Sequence, residues 1–389
     1  MSRTVCQSAL IVGMALGVTT ELSFAPIDQT EWEACFLEPV KNPEAERYLR
    51  KALRMVPPSA PYFFDSPWIT RSLVHFDLCR LPLVHVVPDL AERISMVVSQ
   101  DNACRYCFAA TRTVLKILGY SDSRIRRLEE DLLTAELDRP QQLAVEFARR
   151  VSHATPLATR ADAAPLLAAG YSEQAVAEMT FFAALNVFYN RMATLAALPP
   201  EQMEAMGTDW RVRLLRPLVA RMVRYGRRAQ PQALPAERRS GPFAPFVLAL
   251  DGLPVALKLR DVLDESWASE ILNRRVKALV FAVVARGLGC PLSEQEATGL
   301  LLAEGWTRDY VDRVLSDLGA PELDPVENAV LPFARETIWY QPAHIQRRAR
   351  ALRQMLTRAQ FVELIGVCAL ANAVCRLSAA LDLARARQG

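Results

Sequence analysis

The run NACRYCFAATRTVLKILGYS, residues 102–121, reads as one helix with its start and stop signals attached. Asp101 or Asn102 is available as N-cap, Cys104 to Leu118 contains neither Gly nor Pro, and Gly119 supplies the stop. The neighbouring segments follow the same pattern. Asp89 to Gln100 sets Leu90, Ile94, Val97 and Val98 on one face behind a Pro88-Asp89 start. Ser121 opens a third helix, and Arg139-Pro140 begins a fourth that reaches Ala154. Thr159 caps a fifth to Ala169, and Ser172 starts a long sixth through Leu198. Connections are short and no segment alternates like a strand, so the expected class is all-α, a helical bundle.

The chain has 389 residues, room for two or three domains, and its 51% hydrophobic and 23% charged content is that of a globular protein. Lys plus Arg (46) nearly balance Asp plus Glu (43), which argues against a chain built to hold a phosphate backbone; no nucleic-acid partner is expected. The eight cysteines, Cys6, Cys35, Cys79, Cys104, Cys107, Cys290, Cys368 and Cys375, are too thinly spread for a disulfide scaffold. They fit a reducing, cytoplasmic setting with one reactive pair. The apolar run Ala9–Val18 (ALIVGMALGV) is ten residues long, and a spanning helix needs about 20, so no membrane partner is expected either.

Sliding the sequence along itself by 186 aligns Cys104 with Cys290, Leu115 with Leu301, Gly119 with Gly305, Phe147-Ala148-Arg149 with Phe333-Ala334-Arg335, and Pro156 with Pro342. A shift of 185 aligns Glu178 with Glu363, Ala184-Leu185 with Ala369-Leu370, and Arg191 with Arg376. Unrelated helices would match at scattered shifts, so this near-constant offset points to an internal duplication. The expected organisation is an N-terminal arm over 1–67, a first domain over 68–200, a basic helix and linker over 201–242, and a second domain over 243–389. Within the connecting segment, Trp210–Arg228 reads as the basic amphipathic helix and Ala229–Pro242 as the linker.

Cys104-Arg105-Tyr106-Cys107 is the one constellation suited to covalent chemistry. At a helix start, free N–H groups and the positive end of the dipole favour a thiolate, where a free thiol of pKa about 8.5 is largely protonated at neutral pH. The spacing also lets one sulfur attack and the other resolve. Zinc is the rival for such a pair, but no second CxxC or His pair follows, so neither a metal nor a cofactor is expected. Cys368 and Cys375 are seven residues apart on one helix, about 10.5 Å at 1.5 Å per residue, too far for a disulfide between them.

Asn102 to Ala110 followed by Leu118-Gly119-Tyr120-Ser121 resembles the signature of the carboxymuconolactone decarboxylase superfamily in its alkylhydroperoxidase D-like branch. Phe147-Ala148-Arg149, Ala161-Asp162, Ala169-Gly170-Tyr171-Ser172 and Asn190-Arg191 are similar to the remainder of that domain. The resemblance covers 68–200, and 240–385 only through the repeat. It implies that Cys107 attacks peroxide, that Cys104 exchanges with the reductant, and that Glu92, twelve residues before Cys104, serves a proton relay. The family's His four residues after the second cysteine is Thr111 here, and a hydroxyl cannot pass a proton as an imidazole does. His75, His85 and His153 are the imidazoles that could fill the gap. In the second copy Ser293 replaces the second cysteine and Ala278 the glutamate, so that copy is expected to be degenerate.

The expected function is therefore a thiol-dependent peroxidase or disulfide oxidoreductase, with a hydroperoxide substrate and an external dithiol reductant. A homo-oligomer with an intrachain pseudo-twofold repeat is the expected assembly. The alternatives are a catalytically degenerate scaffold or ligand-binding protein of the same fold, and a lactone decarboxylase-type lyase, which would need no CxxC.

Overall fold

The computed structural model describes residues 27–77, 82–208, 217 and 229–381. The apolar run Ala9–Val18, Cys6, Cys79 and, apart from Pro217, the basic stretch Trp210–Arg228 lie outside the described residues. Among the described residues there are seventeen α-helices and no strand, with one isolated bridge between Gln232 and Gly252. The first half runs α1 (Pro43–Leu53), α2 (Pro67–His75), α3 (Pro88–Asp101), α4 (Arg105–Ile117), α5 (Asp122–Glu130), α6 (Arg139–Ser152), α7 (Ala164–Ala168), α8 (Glu173–Leu195) and α9 (Glu201–Thr208). The second runs α10 (Ala244–Leu248), α11 (Pro254–Ala268), α12 (Arg274–Leu288), α13 (Pro291–Ala303), α14 (Arg308–Asp317), α15 (Pro325–Glu336), α16 (Pro342–Arg353) and α17 (Arg358–Leu381).

The order of helices repeats at the interval seen in the sequence. The first residues of α12, α13, α14 and α15 follow those of α3, α4, α5 and α6 by one and the same offset, the one that aligns Cys104 with Cys290. α17 follows α8 by the slightly shorter offset that aligns Arg191 with Arg376. Local chemistry explains the boundaries. Ser121, Asp138 and Ser172 cap α5, α6 and α8 through their side chains, as do Thr307 and Asp324 for α14 and α15. Gly119 (φ 103°) and Gly305 (φ 91°) close α4 and α13 in the left-handed region that favours glycine.

At the centre α8 and α17 pack against each other along their lengths, and both are buried on nearly every face. α17 is long and apolar enough to cross a membrane, with mean hydropathy 1.8, but 89% of its apolar window is covered by the rest of the chain. One continuous apolar cluster runs from Leu37 through both halves to Ala380. Residues 27–66, which show no period in sequence, nevertheless contain α1 and pack firmly: Leu37, Tyr62 and Phe63 are buried. In the same segment the Trp32 indole donates to Leu198 O at 3.1 Å and the Glu33 N–H to Gln346 at 2.8 Å. The linker is tied down as well, its Gln232 and Leu234 N–H groups donating to Gly252 O and the Asp251 carboxylate.

Buried glutamates anchor the loops that lead into α3 and α12. Glu178, on α8 and fully buried, accepts the N–H groups of Val84, His85 and Val86 at 2.7, 2.6 and 2.8 Å. Glu363, on α17, accepts Ser269 Oγ at 2.7 Å and Leu272 N–H at 3.3 Å, and pairs with the buried Lys277 ammonium at 2.7 Å. A buried carboxylate that accepts several backbone N–H groups is costly to remove, because each donor is left without water or partner. Glu178→Ala is therefore expected to destabilise the chain by about 3 kcal/mol or more, read from the chemical denaturation midpoint, with Glu178→Gln intermediate.

Candidate functional site

The chain turns sharply between α3 and α4 to present the CxxC. Ala103 takes a left-handed conformation (φ 48°), as does Gly289 (φ 66°) at the same place before α13. Cys104 N–H donates back to Ser99 O at 2.9 Å, closing the turn. The N-cap of α4 is Cys104 itself: its Sγ accepts the Cys107 N–H at 3.4 Å. Asp101 and Asn102, the caps expected from sequence, are engaged elsewhere. The Asp101 carboxylate binds Arg149 and His153, and the Asn102 amide donates to Val98 O.

Cys104 is fully buried and Cys107 half-buried, both as free thiols. Burial opposes ionisation of Cys104, yet its pKa is lowered. The Cys107 thiol and N–H, the Thr194 hydroxyl and the positive charge of Arg191 together outweigh the desolvation. The Cys107 thiol is pushed well up, by burial first and then by its contact with Cys104, while the Asn190 amide opposes the rise. Of the two sulfurs Cys104 is thus the more readily ionised, and Cys107 the one that holds its proton more tightly.

Arg191, Asn190 and Thr194 all come from α8 and were not singled out from sequence as site residues. Their signal was there: an Arg and an Asn side by side in a mostly apolar helix are seldom buried without a task. Arg191 is 2% exposed and has no carboxylate partner among the described residues. It donates to the carbonyls of Thr337 and Ile338 (3.0 Å each) and to Asn102 Oδ1 and Tyr340 OH, with its guanidinium 4.7 Å from the Tyr340 ring centroid.

The relay residues expected from the resemblance lie differently. Thr111, buried, donates its hydroxyl to Cys107 O at 3.1 Å, one turn back along α4, and so supports the backbone of the pair and not its sulfur. Glu92 makes no hydrogen bond or ion pair among the described residues. Burial, and then the like charge of Asp89, raise its pKa to about 8. At neutral pH it is a neutral acid, able to donate a proton but not to accept one. His75 meets Glu265 and Asp261 at 3.4 and 3.5 Å, and His153 meets Asp101 at 3.1 Å. The His85 N–H is held by Glu178. None of these imidazoles is hydrogen-bonded to either sulfur among the described residues.

Beside Cys107 lies a narrow cleft with a cavity volume of about 40 Å³, walled by Phe63, Ile69, Tyr106, Phe188, Met192 and other apolar groups, with Ser59 and Ser72 the polar exceptions. The site is thus a dithiol against an apolar wall with an arginine behind it. Among the described residues no cluster of His, Cys, Asp and Glu could hold a metal. No family model, curated protein or solved structure matches the chain.

The Glu92 carboxyl stays protonated in the folded chain up to about pH 8, while in the unfolded chain it ionises near pH 4.3. Its contribution to stability is therefore complete below pH 4 and lost as pH rises toward 8. Glu92→Gln, neutral throughout, should stabilise the chain by about 1–3 kcal/mol at pH 8 and leave it unchanged at pH 4, in paired thermal denaturation curves. Arg191→Met removes the charge behind Cys104 and should move its thiolate titration up by about one pH unit, followed by ultraviolet thiolate absorbance in a Cys290→Ser background.

Proposed function

We propose that the chain is a thiol-dependent peroxidase or disulfide oxidoreductase of the alkylhydroperoxidase D type, built as two tandem copies of one helical bundle with the redox CxxC in the first. The observation that carries this reading is the Cys104–Cys107 contact: two free thiols on the opening turn of α4, the Cys107 N–H donating to Cys104 Sγ, with Cys107 on the wall of a cleft.

The duplication reading is supported by reciprocal contacts between the halves. Arg191 of α8 donates to Ile338 O at 3.0 Å, just beyond α15, and Arg376 of α17 donates to Ser152 O at 3.1 Å, at the end of α6. Ile338 and Ser152 are themselves related by the offset that aligns Cys104 with Cys290, so each half's arginine grips the matching point of the other. This is the contact a pseudo-twofold axis between repeats would produce. A homo-oligomer of such chains, in a reducing cytoplasmic setting, completes the proposal.

In the reaction, the proton of Cys107 passes to Cys104 within their contact, leaving the thiolate at the sulfur that faces the cleft. That thiolate attacks the terminal oxygen of a hydroperoxide, the O–O bond breaks, and the alkoxide leaves as the alcohol after taking the proton held on Cys104. Cys107 is then a sulfenic acid. Cys104 attacks its sulfur, hydroxide departs to become water, and a Cys104–Cys107 disulfide closes. An external dithiol reduces it by exchange through a mixed disulfide. The balance is one hydroperoxide and one dithiol consumed for one alcohol, one water and one disulfide. Arg191 supports the negative charge of the pair throughout.

The scaffold alternative draws on Thr111, whose hydroxyl is spent on the backbone, and on Glu92, which lacks a link to the sulfurs. Stopped-flow peroxide consumption separates the two. The reduced protein is expected to consume one rapid equivalent, Cys107→Ser to lose that phase by roughly 100-fold or more, and Cys104→Ser to halt at a trappable sulfenic acid on Cys107. Equal rates for the reduced protein and Cys107→Ser would remove the peroxidase reading.

A further inference from the structure

Along the sequence the second half is stripped for redox work, because Ser293 stands where the first half has Cys107. The folded chain supplies a different sulfur. Cys290 is the N-cap of α13, in the place Cys104 holds on α4. Facing it from α17 is Cys375, which occupies the position corresponding to Asn190, the residue that contacts Cys107 in the first half. Cys375 is the neighbour that acts most strongly on Cys290, α13 packs on α17, and Cys290 Sγ lies 3.1 Å from Ser293 Oγ with the Ser378 hydroxyl also beside it. Next to Cys375 is Arg376, 1% exposed, whose Nη2 has no hydrogen-bond partner among the described residues.

We infer that Cys290 and Cys375 form a second redox site, a buried dithiol that a water-sized peroxide oxidises to an intrachain disulfide between the start of α13 and helix α17. The asymmetry needed for attack is built in. Cys290 is held down to about 6, first by the neighbouring Cys375 thiol and then, against the cost of burial, by the Ser293 and Ser378 hydroxyls. Cys375 is raised well above the usual range by burial and by the neighbouring Cys290, and so serves as the proton-bearing partner. Both sulfurs are buried, at 2% and 0% exposure, so a protein disulfide could not reach them and the oxidant class is hydrogen peroxide.

The Cys290 thiolate attacks one peroxide oxygen, the O–O bond breaks and hydroxide leaves, giving a sulfenic acid on Cys290. The Cys375 thiol then attacks that sulfur, the S–O bond breaks, and water departs with the Cys375 proton. One thiolate, one thiol and one hydrogen peroxide become one disulfide, one water and one hydroxide.

The site is independent of the CxxC and is tested without it. Full-length Cys104→Ser/Cys107→Ser protein is treated with a small excess of hydrogen peroxide at neutral pH, remaining thiols are blocked, and non-reduced tryptic peptides are mapped by mass spectrometry. The expected result is a cross-link between the peptide carrying Cys290 and the one carrying Cys368 and Cys375. It should persist in Cys368→Ser and vanish in Cys375→Ser, and in the unoxidised protein Cys290→Ser should lose thiolate absorbance at neutral pH. Free thiols after oxidation, a cross-link that follows Cys368, or over-oxidation of Cys290 with no cross-link would each overturn the inference.

Discussion

Two helices buried on nearly every face cannot turn their charged residues toward water, and the rest of the fold is arranged around that constraint. α8 carries Glu178 and Arg191, α17 carries Glu363 and Arg376, and all four side chains are 2% exposed or less. Each must find hydrogen-bonding partners inside a medium of low dielectric. They take them largely from backbone at the ends of other helices: Glu178 from the loop before α3, Glu363 from the turn before α12, Arg191 from the residues after α15, Arg376 from the end of α6. The connections are thereby pinned to the centre, and each arginine reaches across to the opposite half.

On both helices the acid and the arginine are thirteen residues apart, about 20 Å along a regular helix. They cannot neutralise each other, so each helix has an acidic end and a basic end. At the acidic end the second half adds Lys277, while the first half relies on backbone N–H groups. At the basic end no carboxylate among the described residues pairs with either arginine. Arg376 feels this most: burial, and then the like charge of Arg191, lower its pKa to about 9. The groups placed beside these two cations are thiols: Arg191 helps to lower Cys104, whereas beside Arg376 burial and the neighbouring Cys290 keep Cys375 protonated.

Much of the helix plan was legible in advance. Segments expected from Asp89, Cys104, Ser121, Arg139, Thr159 and Ser172 correspond to α3, α4, α5, α6, the short turn with α7, and α8, since caps and breakers act locally. Residues 27–66 were opaque because their order comes from contacts with distant Gln346 and Leu198, which leave no period in the chain. The same limit applies to the site. The CxxC was visible as a spacing, whereas Asn190, Arg191 and Thr194 join it only through packing of α8 on α4. Glu92 was found by spacing, whereas its neutrality at pH 7 follows from desolvation, which no spacing reports.

On the redox reading proposed above, the two halves would share a backbone plan and differ in sulfur chemistry. A disulfide within the opening turn of α4 links residues three apart and constrains little that the helix has not already fixed, so opening and closing it perturbs few contacts. Cys290 and Cys375 are distant in sequence, and a bond between them would join the start of α13 to the central helix and close a long loop containing α13 to α16. The chain-entropy argument gives such a link a much larger effect on stability. On that same reading, a pair suited to repeated turnover and a pair suited to locking the core would differ by which of two positions beside an N-cap cysteine holds the second sulfur.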